Sequence, residues 1–248
     1  MSPSISLKTR PKIPGWLKIL VSIAAVLILV TAFFIYRQFQ RSAGHFIRLR
    51  QYWEDPEKQE IWGLRAGERC GDAPFLIPTD GFVAFFWGDR YPTGRKHQGV
   101  DIFSPVGSEG AGVTPVLAAS DGYLTRLSDW RSAVIVRIPN DPLQGGRQIW
   151  TYYTHMAQAD GSSFISSEFP PGTVEAFVQA GTLLGYQGNY SANPSSPTGV
   201  HLHFSIVRDN GRGQFLNELE YSNTLDPTPY LGVELNGDRI GDQVARCP

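Results

Sequence analysis

The chain has 248 residues, enough for one sizeable folded domain with additional segments, and its 42% hydrophobic and 12% aromatic content is typical of a protein with a buried core. Its formal net charge of −1 is unevenly distributed, because the first 50 residues carry eight of the 22 basic side chains and none of the 23 acidic ones. The rest of the chain has a formal charge of −9 and would repel phosphate backbones, so we expect no nucleic-acid partner.

The first predicted element is a membrane-spanning helix. Residues 19–36 form a stretch of 18 residues without a charged side chain, which is about 27 Å long as a helix and close to the hydrocarbon thickness of a bilayer. A cleaved signal peptide is the alternative, but its apolar part is normally shorter and ends in small residues. We therefore predict a tail over residues 1–15, an anchor over 16–36 and a juxtamembrane stalk over 37–70. Basic residues flank the anchor equally on both sides, so the positive-inside rule does not set its orientation.

Residues 71–248 are predicted to form a mainly β domain. Short runs of β-branched and aromatic residues alternate there with Gly, Pro, Asn and Asp, a pattern typical of an antiparallel sheet. Residues 187–199, rich in Pro, Ser and Asn, predict an exposed loop. The predicted strands are 81–87, 99–103, 115–119, 122–127, 133–138, 148–154, 183–186 and 200–207.

The two cysteines, Cys70 and Cys247, lie close to the two ends of this domain. A disulfide between them would be worth about 5 kcal/mol in the chain-entropy model and would place the domain outside the cytoplasm. Two unrelated free thiols are the alternative.

Four of the five histidines lie in three separate predicted β segments. His201 and His203 are two residues apart in a strand, so their side chains share one face. In an extended segment His97 and Asp101 also share a face. His155 lies at the end of a third β run. For each of these histidines taken singly, the alternative is an imidazole satisfied by ordinary hydrogen bonds.

A shared metal ion explains all these placements together, because an imidazole without a partner is costly within an apolar run. Two histidines and one aspartate would give three protein ligands. That set leaves the fourth tetrahedral position to water, as in a catalytic zinc site.

The order of these motifs resembles that of the lysostaphin/LytM-type zinc metallopeptidases, the M23 family. The resemblance covers about residues 74–207 and consists of HxGxD at 97–101, YxH at 153–155 and HxH at 201–203, separated by the segments VLAASDGYL and AGTLLGYQGN. It implies a small antiparallel β-sheet or sandwich with a groove along the metal site. It also implies peptidoglycan peptides as the substrate class.

Carried over to this chain, the resemblance implies one zinc ion bound by His97, Asp101 and His203, with His155 and His201 as general acid and base. Outside these motifs, the position of Tyr91, six residues before the first ligand, makes it a candidate donor to the developing oxyanion, although an aromatic turn residue is the alternative. The predicted function is a membrane-anchored zinc endopeptidase that cleaves stem cross-links or cross-bridges. Because a wall hydrolase must face the wall, its catalytic domain is expected on the periplasmic or cell-wall side and its tail, residues 1–15, in the cytoplasm.

Two other functions stay open at this point. One is a catalytically silent module that binds the wall or activates another wall hydrolase. The other is a zinc carboxypeptidase that removes D-alanine, although such families usually carry a glutamate near the final histidine and residues 205–208 contain none. The loop before His201 is longer than the family's compact form, with Pro194 and Pro197 in it. The stalk shows no inhibitory segment, so regulation by a protein partner also stays open.

Overall fold

The computed structural model describes residues 14–91 and 93–248, with the backbone alone over residues 37–43. It divides into two compact units, one that ends at Gly44 and one that extends over His45–Pro248. The predicted tail, residues 1–15, lies outside the described residues except for Pro14 and Gly15.

The described part of the first unit is the first and larger part of one long helix, whose last residues belong to the second unit. Helix α1 spans Gly15–Glu54, and its part Gly15–Tyr36 is long and apolar enough to cross a membrane, with a mean hydropathy of 2.8 and no buried residue. A signal sequence near the amino terminus would share this length and composition. The structure thus contains the apolar helix that the sequence predicted.

Helix α1 ends at Glu54, immediately before a residue that caps the next helix. Asp55 has an extended backbone, and its side chain accepts hydrogen bonds from the amides of Glu57 and Lys58 at the start of helix α2, Pro56–Trp62. An aspartate followed by a proline is a strong start signal for a new helix. The chain therefore begins a second helix at the break that the sequence predicted near Asp55.

The second unit is mainly antiparallel β-sheet, which confirms the predicted fold class. The strands are β1 Phe82–Phe85, β2 Val100–Phe103, β3 Pro115–Leu117, β4 Gly122–Thr125, β5 Val134–Ile138, β6 Ile149–Thr154, β7 Ala176–Val178, β8 Leu183–Tyr186, β9 His201–Arg208 and β10 Thr224–Leu225. The larger sheet has eight strands in the order β1-β2-β9-β6-β5-β4-β7, with β10 paired to β9, and a second sheet pairs β3 with β8. The described residues also include helix α3, Thr228–Leu231, and two 3-10 turns.

Each of the eight predicted strands overlaps one of these strands, and two further strands, β7 and β10, were not predicted. Both are short, with three and two residues, and form no period-two pattern long enough to recognise. The predicted exposed loop over 187–199 is exposed at its tip, but Gln187 and Gly188 at its start are buried.

Strand β9 lies inside the larger sheet and has two different faces. Leu202, Phe204 and Ile206 belong to the main hydrophobic core, while His201 and His203 point to the opposite face, as the period of two requires. This arrangement follows from the alternation of apolar and imidazole side chains along the strand.

The second unit begins at His45, so it includes residues 45–70 of the segment that the sequence analysis assigned to a stalk. Leu49 and Tyr52 near the end of α1 are buried against Phe82, Ala84 and Phe103, which the first two strands provide. The ring of Tyr52 stacks on Phe82 with centroids 5.2 Å apart. The apolar face of this part of α1 is thus buried on the sheet instead of facing water.

A disulfide joins Cys70 to Cys247, with Cα atoms 5.0 Å apart. It links the segment after α2 to the last residues of the chain, and Cys70 is itself part of the main core.

Candidate active site

Three of the predicted site residues meet on the face of the larger sheet that is opposite the main hydrophobic core. Strands β2 and β9 are paired so that Asp101 lies directly opposite His203, and His97 precedes β2 by three residues. Asp101 Oδ1 lies 2.8 Å from His203 Nδ1 and 3.2 Å from His97 Nε2. The two imidazole nitrogens are 3.1 Å apart. All three side chains are buried, so the strand register converts three separated residues into one compact group.

The geometry of this group fits a metal ion. His97 Nδ1 lies 3.1 Å from the carbonyl oxygen of Phe86; because a carbonyl only accepts, Nδ1 carries the proton and Nε2 turns a lone pair toward the group. The ligand atoms of His97, Asp101 and His203 all lie within 4.8 Å of one another. Zinc bonds of about 2.0 Å in tetrahedral geometry would hold such atoms about 3.3 Å apart.

A second observation supports the same fit. Among the described residues His203 Nε2 is buried and has no hydrogen-bond partner, so the polar contacts of this ring to His97 and Asp101 are made through Nδ1. Gly99 makes room for this ring, because a Cβ atom at position 99 would lie 2.7 Å from His203 Nε2. The described residues thus provide a buried group that can hold a metal ion.

The charges of the group favour a carboxylate among imidazoles. Burial opposes ionisation of Asp101, but the neighbouring His97 and His201 and the hydrogen bond from His203 hold its pKa well below the usual value. Burial likewise lowers the pKa of His203, against the attraction of Asp101. Asp101 has the opposite effect on His97, whose pKa is raised against the effect of burial. A divalent cation requires a carboxylate and neutral imidazoles, so binding at this group would release a proton from His97 where that ring is protonated.

The two remaining predicted residues, His155 and His201, border this group with a common geometry. His155 Nδ1 lies 2.6 Å from the carbonyl oxygen of Tyr190, and His201 Nδ1 lies 2.7 Å from that of Gly199. Both carbonyls fix the proton on Nδ1 and leave Nε2 unprotonated. The two rings have centroids 4.4 Å apart, and His201 Nε2 is 3.7 Å from Asp101 Oδ1.

Both imidazoles are held in unusual environments. His155 has a φ of 69°, a left-handed backbone conformation that a residue other than glycine rarely adopts and that is often found at functional sites. Burial lowers the pKa of His201 to about 4, and the neighbouring imidazoles of His155 and His203 contribute to this shift. His201 is thus neutral near pH 7 in the protein alone.

The group lies in a cavity of about 780 Å³ that is lined by all five predicted residues and Tyr91. Tyr91 is 42% exposed and its ring meets that of His97 edge-on, with centroids 5.8 Å apart. Burial raises its pKa, as do the carboxylates of Asp101 and Asp89. Its phenol therefore stays protonated and is able to donate a hydrogen bond into the cavity.

Other residues of the site were not predicted from the sequence. The carbonyls of Phe86, Tyr190 and Gly199 orient the imidazoles, and a backbone carbonyl leaves no trace in the residue types. Phe46, Leu49 and Trp53 of α1 also line the cavity. The signal that could have found them is the regular spacing of apolar residues between positions 46 and 53, which the sequence analysis assigned to a stalk.

We compared the chain with known proteins. No family model matches it. It is 26% identical over 163 residues to the L-Ala--D-Glu endopeptidase of Bacillus subtilis (strain 168), an alignment that covers 64% of this chain and 42% of that protein. The chain thus aligns with less than half the length of this curated relative.

Solved structures with a similar arrangement include the catalytic domain of lysostaphin from Staphylococcus simulans, with 23% identity, a TM-score of 0.38 and coverage of 60% of this chain and 90% of that one. Another is a putative M23 peptidase from Pseudomonas aeruginosa, with 20% identity, a TM-score of 0.37 and coverage of 72% and 59%. The motif order, the antiparallel β fold and the similarity to the curated relative together confirm that the chain resembles the M23-type peptidoglycan endopeptidases.

Proposed function

We propose that this chain is a zinc-dependent endopeptidase that hydrolyses peptide bonds of bacterial peptidoglycan, anchored by α1 in a membrane with its second unit outside the cytoplasm. The observation that carries the proposal is the convergence of His97 Nε2, Asp101 Oδ1 and His203 Nδ1 within 3.2 Å of one another. They lie in a cavity that two further oriented imidazoles also line.

His97, Asp101 and His203 would hold the zinc ion, because two imidazoles and a carboxylate form a donor set found in catalytic zinc sites. When bound, zinc lowers the pKa of a coordinated water to about 7 and polarises a carbonyl oxygen. This ligand set also explains why Asp101 is kept ionised although it is buried.

His155 and His201 supply the proton transfers. Hydrolysis adds a water oxygen to the carbonyl carbon, breaks the C–N bond and requires that one proton pass from the water to the leaving nitrogen. Each imidazole has its Nδ1 occupied by a backbone carbonyl, so each has an Nε2 lone pair that can accept this proton and return it. Such general acid–base catalysis typically contributes a factor of about 10²–10⁴ in rate.

Tyr91 is suited to a third role. Its phenol stays protonated in the cavity that contains the ligand group. A preorganised donor of this kind stabilises the negative charge that develops on the carbonyl oxygen. We therefore assign to Tyr91 a hydrogen bond to the developing oxyanion.

The proposed location is supported by two features of the chain and by the nature of the proposed substrate. Gly15–Tyr36 has the length and composition of a membrane span. The Cys70–Cys247 disulfide fits an oxidising compartment outside the cytoplasm. Peptidoglycan, the proposed substrate, also lies outside the cytoplasm.

The test uses the full chain in detergent, with metal analysis and with mass analysis of fragments from defined muropeptides of several cross-link types. We expect about one zinc per chain and new peptide ends that disappear with a chelator and return with added zinc. The matched control is His201→Ala, which keeps all three ligands and should retain zinc but lose hydrolysis.

A zinc-loaded chain that releases no peptide ends from any substrate would refute the proposal. Loss of a single D-alanine would indicate a carboxypeptidase, and a biological effect that survives in His201→Ala would indicate a binding module.

A further inference from the structure

The carboxyl-terminal part of α1 forms one wall of the active-site cavity. Phe46, Leu49 and Trp53 line the same cavity as the five site residues, and their spacing of three and four residues puts them on one helix face. Leu49 is buried against the sheet, whereas Phe46 and Trp53 are 59% and 37% exposed. This helix face therefore contacts the sheet through Leu49, and the exposed rings of Phe46 and Trp53 on the same face can contact a ligand in the cavity.

Trp53 is held in a defined orientation. Its Nε1 donates a hydrogen bond to the carbonyl oxygen of Ser104, at 2.8 Å. Its ring meets Phe103 edge-on, with centroids 6.4 Å apart. Gln59 of α2 donates to the carbonyl oxygens of Trp53 and Pro105, at 3.3 and 3.2 Å. These contacts fix the end of α1 to the segment after β2, so the indole is preorganised although a third of its surface is exposed.

A second cavity adjoins the first at this indole. It has a volume of about 630 Å³, and Trp53, Thr198 and Gly199 line both cavities. Gln59, Ser108 and Asn189 give the second cavity amide and hydroxyl groups, and Glu109 is the one charged side chain among the described residues that line it. The two cavities, together called the cleft, thus share a border at Trp53.

The chemistry of this cleft fits a peptide strand. The described residues lining the two cavities include no Lys or Arg, so the cleft lacks the permanently charged side chains that usually bind phosphate groups or acidic sugars. It instead combines exposed aromatic surface with hydrogen-bonding groups, which is the composition expected for a site that binds peptide backbone and small side chains. An aromatic ring fixed before binding loses little entropy when the ligand packs on it.

We propose that Trp53 is a substrate-binding residue, on whose indole the peptide packs as it passes from the active-site cavity into the second cavity. This inference rests on the proposed endopeptidase function and deepens it, because it names the helix next to the membrane anchor as part of the peptide-binding cleft. Residues next to the cleaved bond lie in the first cavity, and residues further along the same strand lie in the second.

The test compares two substrates with two matched pairs of variants in the full chain. The long substrate is a cross-linked peptide dimer prepared from peptidoglycan, and the short one keeps a single residue on each side of the cleaved bond. Trp53→Ala should raise KM for the long substrate about tenfold or more, as expected for an aromatic contact in a binding cleft, and leave KM for the short one within about twofold. Trp53→Phe should have a smaller effect. The controls Trp62→Ala and Trp62→Phe change a tryptophan that packs on Phe82 and lines neither cavity, and should leave KM for both substrates unchanged.

Equal effects of Trp53→Ala on the KM of both substrates would overturn the inference, as would a fall in kcat at unchanged KM. A rise in activity would also overturn it, because it would mean that the helix blocks the cleft. Metal content and the urea midpoint of each variant show whether the fold is kept.

A binding measurement separates this inference from the proposed function. His201→Ala and the double variant His201→Ala/Trp53→Ala are titrated with the cross-linked dimer by calorimetry. The double variant should bind about tenfold more weakly, even if the unchanged chain cleaves nothing, and equal affinities would refute the role of Trp53.

Discussion

Substitution of alanine for Gly99 should damage the metal site through sterics alone. The added Cβ would lie 2.4 Å from the carbonyl oxygen of Phe204 and 2.7 Å from His203 Nε2. Phe204 is held in β9 by its pairing with both neighbouring strands, so it has little freedom to move. The ring of His203 or the start of β2 must shift instead.

The size of this shift can be worked out from the distances. Ordinary van der Waals contact to a Cβ begins near 3.4 Å, so the imidazole must move by about 0.7 Å from its position at 2.7 Å. That exceeds the tolerance of about 0.5 Å within which functional groups have to be held. A misplacement of about 1 Å typically costs about 10²-fold in rate, and overpacking of this kind costs about 1–3 kcal/mol of stability. We therefore expect a fall of about 10²-fold in kcat/KM, reduced zinc content and a loss of about 1–3 kcal/mol in the free energy of unfolding.

The assay measures zinc content, urea unfolding and muropeptide hydrolysis for Gly99→Ala beside a matched control. Gly145→Ala is suitable, because a Cβ added at position 145 would have no neighbouring atom within 4 Å and the φ of Gly145 is not in the left-handed region. The control should retain the zinc content, stability and activity of the unchanged chain. If Gly99→Ala kept full zinc and full activity, the crowding at His203 would not constrain the site and the reasoning would be wrong.

Three further changes test other parts of the structure. Replacing Cys70 and Cys247 together by serine should lower the free energy of unfolding by about 5 kcal/mol in the chain-entropy model, because the disulfide closes a loop with a sequence separation of 177; a loss below about 1 kcal/mol in urea titrations would contradict this. Leu49→Ala removes a side chain that is 3% exposed and should cost about 2–5 kcal/mol in the same assay, whereas no loss would mean that the end of α1 does not pack on the sheet. His155→Ala and His201→Ala should each lower kcat by about 10²–10⁴-fold with zinc content unchanged, and loss of zinc would instead make the residue a ligand.

The parts of the fold that were predictable are those in which a local pattern decides the structure. In β9 the apolar residues alternate with His201, His203 and Ser205, and this alternation alone assigns the imidazoles to one face. The predicted turns and strands of the sheet follow from β-branched runs separated by glycine and proline. The resemblance of the motif order to that of a known family led us to expect that the three motifs converge. The strand register that brings them together, with Asp101 opposite His203, could be seen only in the folded sheet.

The packing of residues 45–54 on the sheet could not be predicted in the same way. Arg48, Arg50 and Glu54 make this stretch look like a solvated stalk. Its apolar face is buried because the outer face of β1 carries Phe82 and Ala84, and that surface exists only after β1 has paired with β2. A periodic apolar stripe predicts that a helix has a partner, but it does not identify the partner.

The long loop between β8 and β9 is held by hydrogen bonds at its base and, separately, at its tip. Its base is closed by a hydrogen bond from the amide of Thr198 to the carbonyl of Asn189, and the carbonyl of Ala157 accepts from the amides of Asn189 and Tyr190. The carbonyls that orient His155 and His201 come from Tyr190 and Gly199, which lie at this base.

The tip of the loop is held separately, because the hydroxyl of Ser191 donates to the carbonyls of Asn193 and Ser196. Extra residues in the tip can therefore change the shape of the cleft without moving the carbonyls that set the tautomers of the two imidazoles. In this fold the tip of the loop and the carbonyls that orient His155 and His201 are thus held by different hydrogen bonds.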